Sequence, residues 1–381
     1  MGVWPQQTMH AGSLGMWPPP QLPAGGMGMW ALQQTPAAFE SAQSAAHQIH
    51  FTPHYFQALV PAGPVLPAWP AEPWLELSNE QMLARNAQQI GGSSSSVPPP
   101  GEGTATLTSN SIIDVWADTS REAFAYIERL LKRDSKAKFM VGFDSEFAVP
   151  DGVKSSPREP ASADLHYTQL CSAANGGDLI QVGFAIADDE FNVHGAWQFN
   201  LYFDPSWRLP GHEGIDFLRG VGFNLEEHAR RGIPVANFVH WLWSSGAIAN
   251  GSLTWVTFMG YPDFGLLVRL LMGKELPESR KEFLTWFWQL FPRSYDVRVF
   301  SKLGKGRKEI IHGGLAKVCE KLKAGAIGKA HHAGSDALTA LLCLAKMVNQ
   351  DPEFAELMSR FCAVLYGVDT LTDSSAFGLE C

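Results

Sequence analysis

The chain has 381 residues, a formal net charge of −9 and 45% hydrophobic residues. That length can bury a sizeable core, and the acidic balance excludes a protein that binds nucleic acid through bulk positive charge. Five scattered cysteines (Cys171, Cys319, Cys343, Cys362 and Cys381), with no C-x-x-C pair, exclude a disulfide scaffold and predict reduced thiols inside a cell.

The averages hide a split. Residues 1–100 hold 15 of the 25 prolines and only five charged residues, Arg85 and four glutamates. Met16-Trp17 and Met29-Trp30 sit among Gly, Pro and Gln, and prolines this dense block both helices and sheet ladders. Residues 1–107 therefore read as a disordered low-complexity segment, whose Trp/Pro elements are either inert or docking points for a partner. A short helix over 78–89 and a linker over 91–100 are expected within it. No run approaches the ~18–20 apolar residues of a membrane helix. The first 30 residues lack the Lys or Arg of a leader peptide, so a soluble protein is expected.

From Ser109 the pattern changes. Ile112, Ile113 and Val115 form a strand-like lead to a helix with Phe124, Ile127 and Leu130 on one face. Apolar runs at 138–147 and 179–186 predict buried strands. Trp197, Phe199, Leu201 and Phe203 alternate as a third. Helices are expected over 224–231, 234–243, 264–272, 278–290, 315–322 and 335–348, with short strands at 254–257 and 295–300 between them. Three consecutive strands followed by alternating helices and strands predict an α/β fold with a mixed sheet.

Three places could carry chemistry. Asp144 and Glu146 are two apart at the end of a strand, so their carboxylates share a face where α/β sheets place ligands. A divalent cation would relieve their repulsion; solvated acids at a strand end fit the pattern equally. Asp263 opens a helix, as a cation ligand or simply as an N-cap. His331-His-Ala-Gly-Ser-Asp336 leads into the last long helix, either as a loop closed by a Ser335 cap or as a histidine hung over an inward-facing Asp336.

In order, D-x-E, a distant Asp at a helix start and H-x-x-x-x-D, the chain resembles the DEDD exonuclease superfamily in its histidine subclass. Within it the chain resembles the carbon-catabolite-repressor-associated factor family, the deadenylase subunit of the CCR–NOT complex. The resemblance rests on Ile113–Trp116, Val141–Phe147, Leu179–Phe184, Trp197–Asn200, Gly214–Leu218, Asp263–Gly265, Tyr295–Val297, Gly313–Leu315 and His331–Asp336. It runs from about Ser111 to Gly367.

The resemblance implies a ribonuclease-H-like exonuclease fold over 108–370, with 1–107 and 371–381 outside it. It implies a poly(A)-specific 3′→5′ exoribonuclease releasing 5′-AMP. Asp144, Glu146, Asp263 and Asp336 would bind two divalent cations, Mg²⁺ or Mn²⁺, and His331 would be the general base. Poly(A) RNA, a scaffold and a second nuclease subunit would be its partners, in cytoplasm and nucleus and away from membranes. A mainly bridging subunit with weak catalysis, or an exonuclease on other single-stranded nucleic acid, are the alternatives.

Three residues depart from the family's usual pattern. Ala148 follows Phe147 where the family has Pro, Met259 replaces a His, and Pro262 replaces a Tyr directly before Asp263. Pro262 is expected to disfavour the helical region for Tyr261 and to shift the acid. The segment 151–167 is expected as an irregular loop. Arg298, Lys302, Lys305, Arg307 and Lys308 form a basic loop that either steers phosphates or is merely solvated. Phe147 beside the acids is a candidate for stacking on a base, and His332 is expected to face solvent.

Overall fold

The computed structural model describes residues 112–133, 137–154, 162–303, 311–351 and 354–369. The helix expected over 78–89, the linker, and Lys305, Arg307 and Lys308 lie outside the described residues.

The elements run β1 (Ile112–Val115), α1 (Ser120–Lys132), β2 (Phe139–Ala148), α2 (Ala163–Asn175), β3 (Asp178–Asp188) and β4 (Val193–Asn200). Then come α3 (Glu213–Gly220), α4 (Leu225–Arg231), α5 (Val235–Ser245), β5 (Leu253–Thr257), α6 (Tyr261–Met272) and α7 (Arg280–Leu290). β6 (Ser294–Asp296), α8 (Val297–Lys302), α9 (Leu315–Leu322), α10 (Ala333–Gln350) and α11 (Phe354–Arg360) complete the series. The six strands form one mixed sheet in the order β1-β4-β3-β2-β5-β6. β2, β3 and β4 are antiparallel, while β1, β5 and β6 pair parallel with their neighbours. The α/β fold with a mixed sheet, expected from the alternation of strands and helices, is the one observed.

The two faces of the sheet differ because side chains alternate along each strand. One face carries Phe143, Phe184, Phe199 and Trp255, all buried. Against it pack Phe124 of α1 and Trp241 of α5, their rings stacked at 4.3 Å, and Phe264 of α6 at 5.0 Å from Phe143. Burying each such ring stabilises the fold by about 1.5–3 kcal/mol. The other face carries Gly142, Asp144 and Glu146 on β2, opposite Ala185, Gly183 and Gln181 on β3. It is small and polar, and α10 lies across it.

Several expectations are corrected. The irregular loop ends at Ser162, whose hydroxyl accepts from the Leu165 N–H and so caps α2. The strand expected over 295–300 stops at Asp296, which accepts from the Arg298 N–H and turns the chain into α8. α6 begins at Tyr261, so Pro262 falls in its first turn. There a missing N–H leaves no helical bond unmade, and the fixed φ suits the helix. α10 begins two residues before the expected Ser335 cap. Cys171 carries a free thiol, but Cys362 is disulfide-bonded, since an odd count without C-x-x-C does not forbid pairing at a distance.

Candidate active site

Two glycines decide where α10 sits. A side chain on Gly183 would fall onto the backbone of Ala333, and one on Gly142 onto the carbonyl oxygen of Ala337. Without them the first two turns of α10 rest directly on β2 and β3. That contact carries Asp336 to Asp144 and Glu146.

The turn before α10 is held in a left-handed conformation at His331, with φ 61°. Such a backbone is costly for a residue other than glycine, by about 1–3 kcal/mol. It is held by the His331 N–H, which donates to Asp336 Oδ2 at 2.9 Å. The ring of His331 then stands beside the acids, with Phe217 edge-on at 5.0 Å. The ligating atoms of Glu146, His331 and Asp336 lie within 4.8 Å of one another.

Asp263 arrives from another element. Its Oδ1 accepts from the backbone N–H of Ser145 at 3.0 Å and from the Ser145 hydroxyl at 2.6 Å. It is therefore no N-cap: Gly260 holds that position. The residue between the two β2 acids thus positions the third. Sequence reasoning missed Ser145, although a hydroxyl between two acids was there to be read.

Sequence reasoning also missed Asp296. This buried carboxylate accepts four backbone N–H groups, from Met259 (2.7 Å), Gly260 (3.3 Å), Arg298 (2.9 Å) and Tyr366 (3.2 Å). Met259 has φ 58°. Asp296 thereby pins the strained turn that feeds α6.

The electrostatics follow from burial. Asp144 is pushed well above the usual carboxylate range by burial, then by the charges of Asp263, Glu146 and Asp336. Burial, with Asp336 and Asp263, pushes Glu146 to about 8. Burial raises Asp263 to about 6 against the pull of its Ser145 hydrogen bonds, and raises Asp336 against the His331 N–H. Four carboxylates that resist joint ionisation form a donor set short of positive charge. The carboxylate oxygens of these four acids suit a hard divalent cation, so they fit Mg²⁺ or Mn²⁺, with the His331 imidazole beside them.

The other predicted contacts fare differently. Phe147 follows a bulge in β2 and is half-buried against the core. Arg298 is buried, donates to the Gly313 carbonyl and lies over the rings of Phe258 and Tyr366, so it does not face solvent phosphates. His332 does not face solvent either. Its Nε2 bonds the Val221 carbonyl at 3.2 Å, and its ring stacks on Phe223 at 4.9 Å. Ser335 accepts from the Lys329 N–H.

No family model matches the chain. Comparison with known proteins gives a probable CCR4-associated factor 1 homolog of Arabidopsis thaliana, 31% identical over 275 residues, which are 69% of this chain and 95% of the relative. The chain belongs to the CCR4-associated factor 1 family. CCR4-NOT transcription complex subunit 7 of Caenorhabditis elegans is 29% identical over 262 residues, 68% of this chain and 83% of that protein. The poly(A) ribonuclease pop2 of Schizosaccharomyces pombe is 30% identical over 230 residues, 60% of this chain and 66% of its own. A solved structure of S. pombe Pop2p with Mg²⁺ and Mn²⁺ bound superposes with a TM-score of 0.58 at 29% identity, covering 67% of this chain and 99% of that one. Membership of the family agrees with the fold and with the acidic cluster built by β2, α6 and α10.

Proposed function

We propose that the chain is a 3′→5′ exoribonuclease that removes adenosines from the poly(A) tail of messenger RNA as a subunit of the CCR4-NOT complex. The observation that carries this reading is the convergence of Asp144, Glu146, Asp263 and Asp336 around one face of the sheet, with His331 beside them. The relatives named as poly(A) ribonuclease and as complex subunit supply the substrate and the assembly.

Asp144, Glu146, Asp263 and Asp336 would hold the two divalent cations. Bound there, the cations would polarise the phosphodiester and neutralise the charge that gathers on it. Ser145 orients Asp263 so that Oδ2 stays available. Asp336 plays two parts, since the oxygen that receives the His331 N–H also fixes the direction of the imidazole. A ring nitrogen of His331 takes the proton of the attacking water. Phe217, 47% exposed and edge-on to His331, limits how that ring can swing. Phe147 offers the outer part of its ring for stacking on a base, and Lys305, Arg307 and Lys308 serve as phosphate contacts. The product is a 5′-mononucleotide, AMP from a tail of adenosines.

The catalytic domain spans about 108–370, with 1–107 and 371–381 outside it. No described helix is long and apolar enough to cross a membrane, and the place of work is cytoplasm and nucleus.

The test incubates the full chain and its Asp144→Ala variant with end-labelled RNA ending in adenosines, with Mg²⁺ or Mn²⁺. Stepwise shortening by the wild type alone supports the reading. No shortening by either protein, with complex assembly retained, overturns it in favour of a bridging subunit. Equal shortening of a uridine tail overturns the poly(A) preference.

A further inference from the structure

On the same face of the sheet, apart from the acids, a cavity of about 320 Å³ opens. That is within the size range of small-ligand sites, about 300–1,000 Å³. It shares no residue with the acids or His331. The register places Asp144, Gly183, Gln198 and Asp114 in one row across β2, β3, β4 and β1. At a strand spacing of about 4.8 Å, Asp114 lies roughly 14 Å across the sheet from Asp144. The start of α10 separates the two places, with Ala333 N–H on Gln181 and Gly334 N–H on Gln198. The two adjacent histidines point to opposite sides of it, His331 to the acids and His332 to the cavity.

The lining has a definite polarity. Asp114 accepts from Gln198 Nε2 (2.8 Å) and Asn200 Nδ2 (3.1 Å), both on Oδ1, so Oδ2 retains its accepting capacity. Lys329 lines the cavity with its ammonium near Gly222, and no ion pair engages it among the described residues. Phe223, buried and stacked on both His332 and His228, closes one side of the cavity. Glu227, also in the lining, is paired with Arg231 at 2.7 Å, so a complementary ligand carries a hydrogen-bond donor for Asp114 and negative charge for Lys329.

We propose that this cavity is a second nucleotide site, selective for a base with an exocyclic amino group. That amino group donates to Asp114 Oδ2 and the phosphate meets Lys329. Adenine presents such a donor, whereas the carbonyl that uracil shares with thymine at the same ring position would set acceptor against acceptor. The occupant is either an upstream nucleotide of the RNA tail or a free nucleotide. The choice of a nucleotide rests on the exonuclease reading, but its binding needs no turnover.

The test measures 5′-AMP and 5′-UMP binding to the full chain by calorimetry in EDTA, which withholds the divalent cations that would draw a phosphate to the acids. Saturable one-site binding of AMP is expected, with UMP at least about tenfold weaker. Lys329→Ala, on an exposed side chain, should weaken AMP about tenfold. In Asp114→Asn the amide oxygen keeps Gln198 and Asn200 while its NH₂ faces the cavity, so preference should turn towards UMP. Asp144→Ala should leave AMP binding intact. No binding at millimolar AMP, or binding unchanged by both cavity variants, overturns the proposal, as does loss in Asp144→Ala. With Mg²⁺ present, a KM raised by Lys329→Ala for a long adenosine tail but not for a dinucleotide identifies the tail as occupant. An unchanged KM with AMP binding weakened in the variant identifies a free nucleotide. If RNA is never shortened, the exonuclease reading fails while the EDTA measurement still decides the cavity.

Discussion

Ser145 gives both its backbone N–H and its hydroxyl to one oxygen of Asp263, at 3.0 and 2.6 Å, across 118 residues of sequence. The contact joins β2 to α6 and makes the geometry of one acid depend on the residue between two others. Ser145→Ala keeps the N–H and loses the hydroxyl. It should lower kcat about tenfold and raise the cation concentration for half-maximal rate, because a hydrogen bond to a charged group is worth about 1.5–3 kcal/mol. Ser145→Thr, which keeps the hydroxyl, should stay near the wild-type rate. Equal rates for Ala and Thr would show that the hydroxyl does not hold the acid.

Gly183 is needed for contact, not for backbone freedom. Gly183→Ala forces α10 away from β3, with an overpacking cost of about 1–3 kcal/mol, and separates Asp336 from Asp144. Activity should fall by more than about 10²-fold, the scale that small misplacements produce. Gly251→Ala, where an added Cβ meets nothing within 4 Å, should stay within about 0.5 kcal/mol of wild type. Thermal unfolding and single-turnover rates check both variants.

The acids bind more protons in the folded chain than in the unfolded one between the ordinary carboxylate range and about pH 8, the value to which Glu146 is raised. Stability of the cation-free protein should therefore fall as pH rises through that window. In EDTA the Tm at pH 6 should exceed that at pH 8 by several degrees, and saturating Mg²⁺ or Mn²⁺ should raise Tm more at pH 8 than at pH 6. A cation effect independent of pH would count against the cluster as the binding site.

His331 combines a strained backbone with the proposed proton acceptor. His331→Gly should relieve the left-handed strain and leave Tm unchanged or higher. The same variant should lower kcat by about 10²–10⁴. A drop in Tm matching the drop in rate would indicate a structural role instead.

Asp296→Ala removes the acceptor for four backbone N–H groups. A loss of about 3 kcal/mol in denaturant unfolding is expected, with a loss of activity because the Met259–Gly260 turn no longer sets α6. Asp296→Asn, which keeps one accepting oxygen, should fall between the two.

The order of the motifs was legible in the chain: D-x-E at a strand end, an Asp at a helix start and a His five residues before an Asp. So were the apolar runs of β2 and β3 and the period-two alternation of β4, because both are local properties. Element ends were less legible. Pro262 reads locally as a helix breaker, yet the first turn of α6 admits it. Val297–Phe300 reads as a strand until Asp296 caps it into a helix.

The sequence by itself determined which side chains bear charge, which segments pair or coil, and to which family the whole pattern belongs. Only the tertiary structure decided that Ser145 holds Asp263, that His331 and His332 face opposite ways, and that a cavity opens at Asp114, at the far end of the row from Asp144. The hydrogen bonds behind those relations join residues from 84 to 152 positions apart. They depend on the absence of two side chains, at Gly142 and Gly183, which lets a helix touch the sheet, and local propensity carries no record of such a contact.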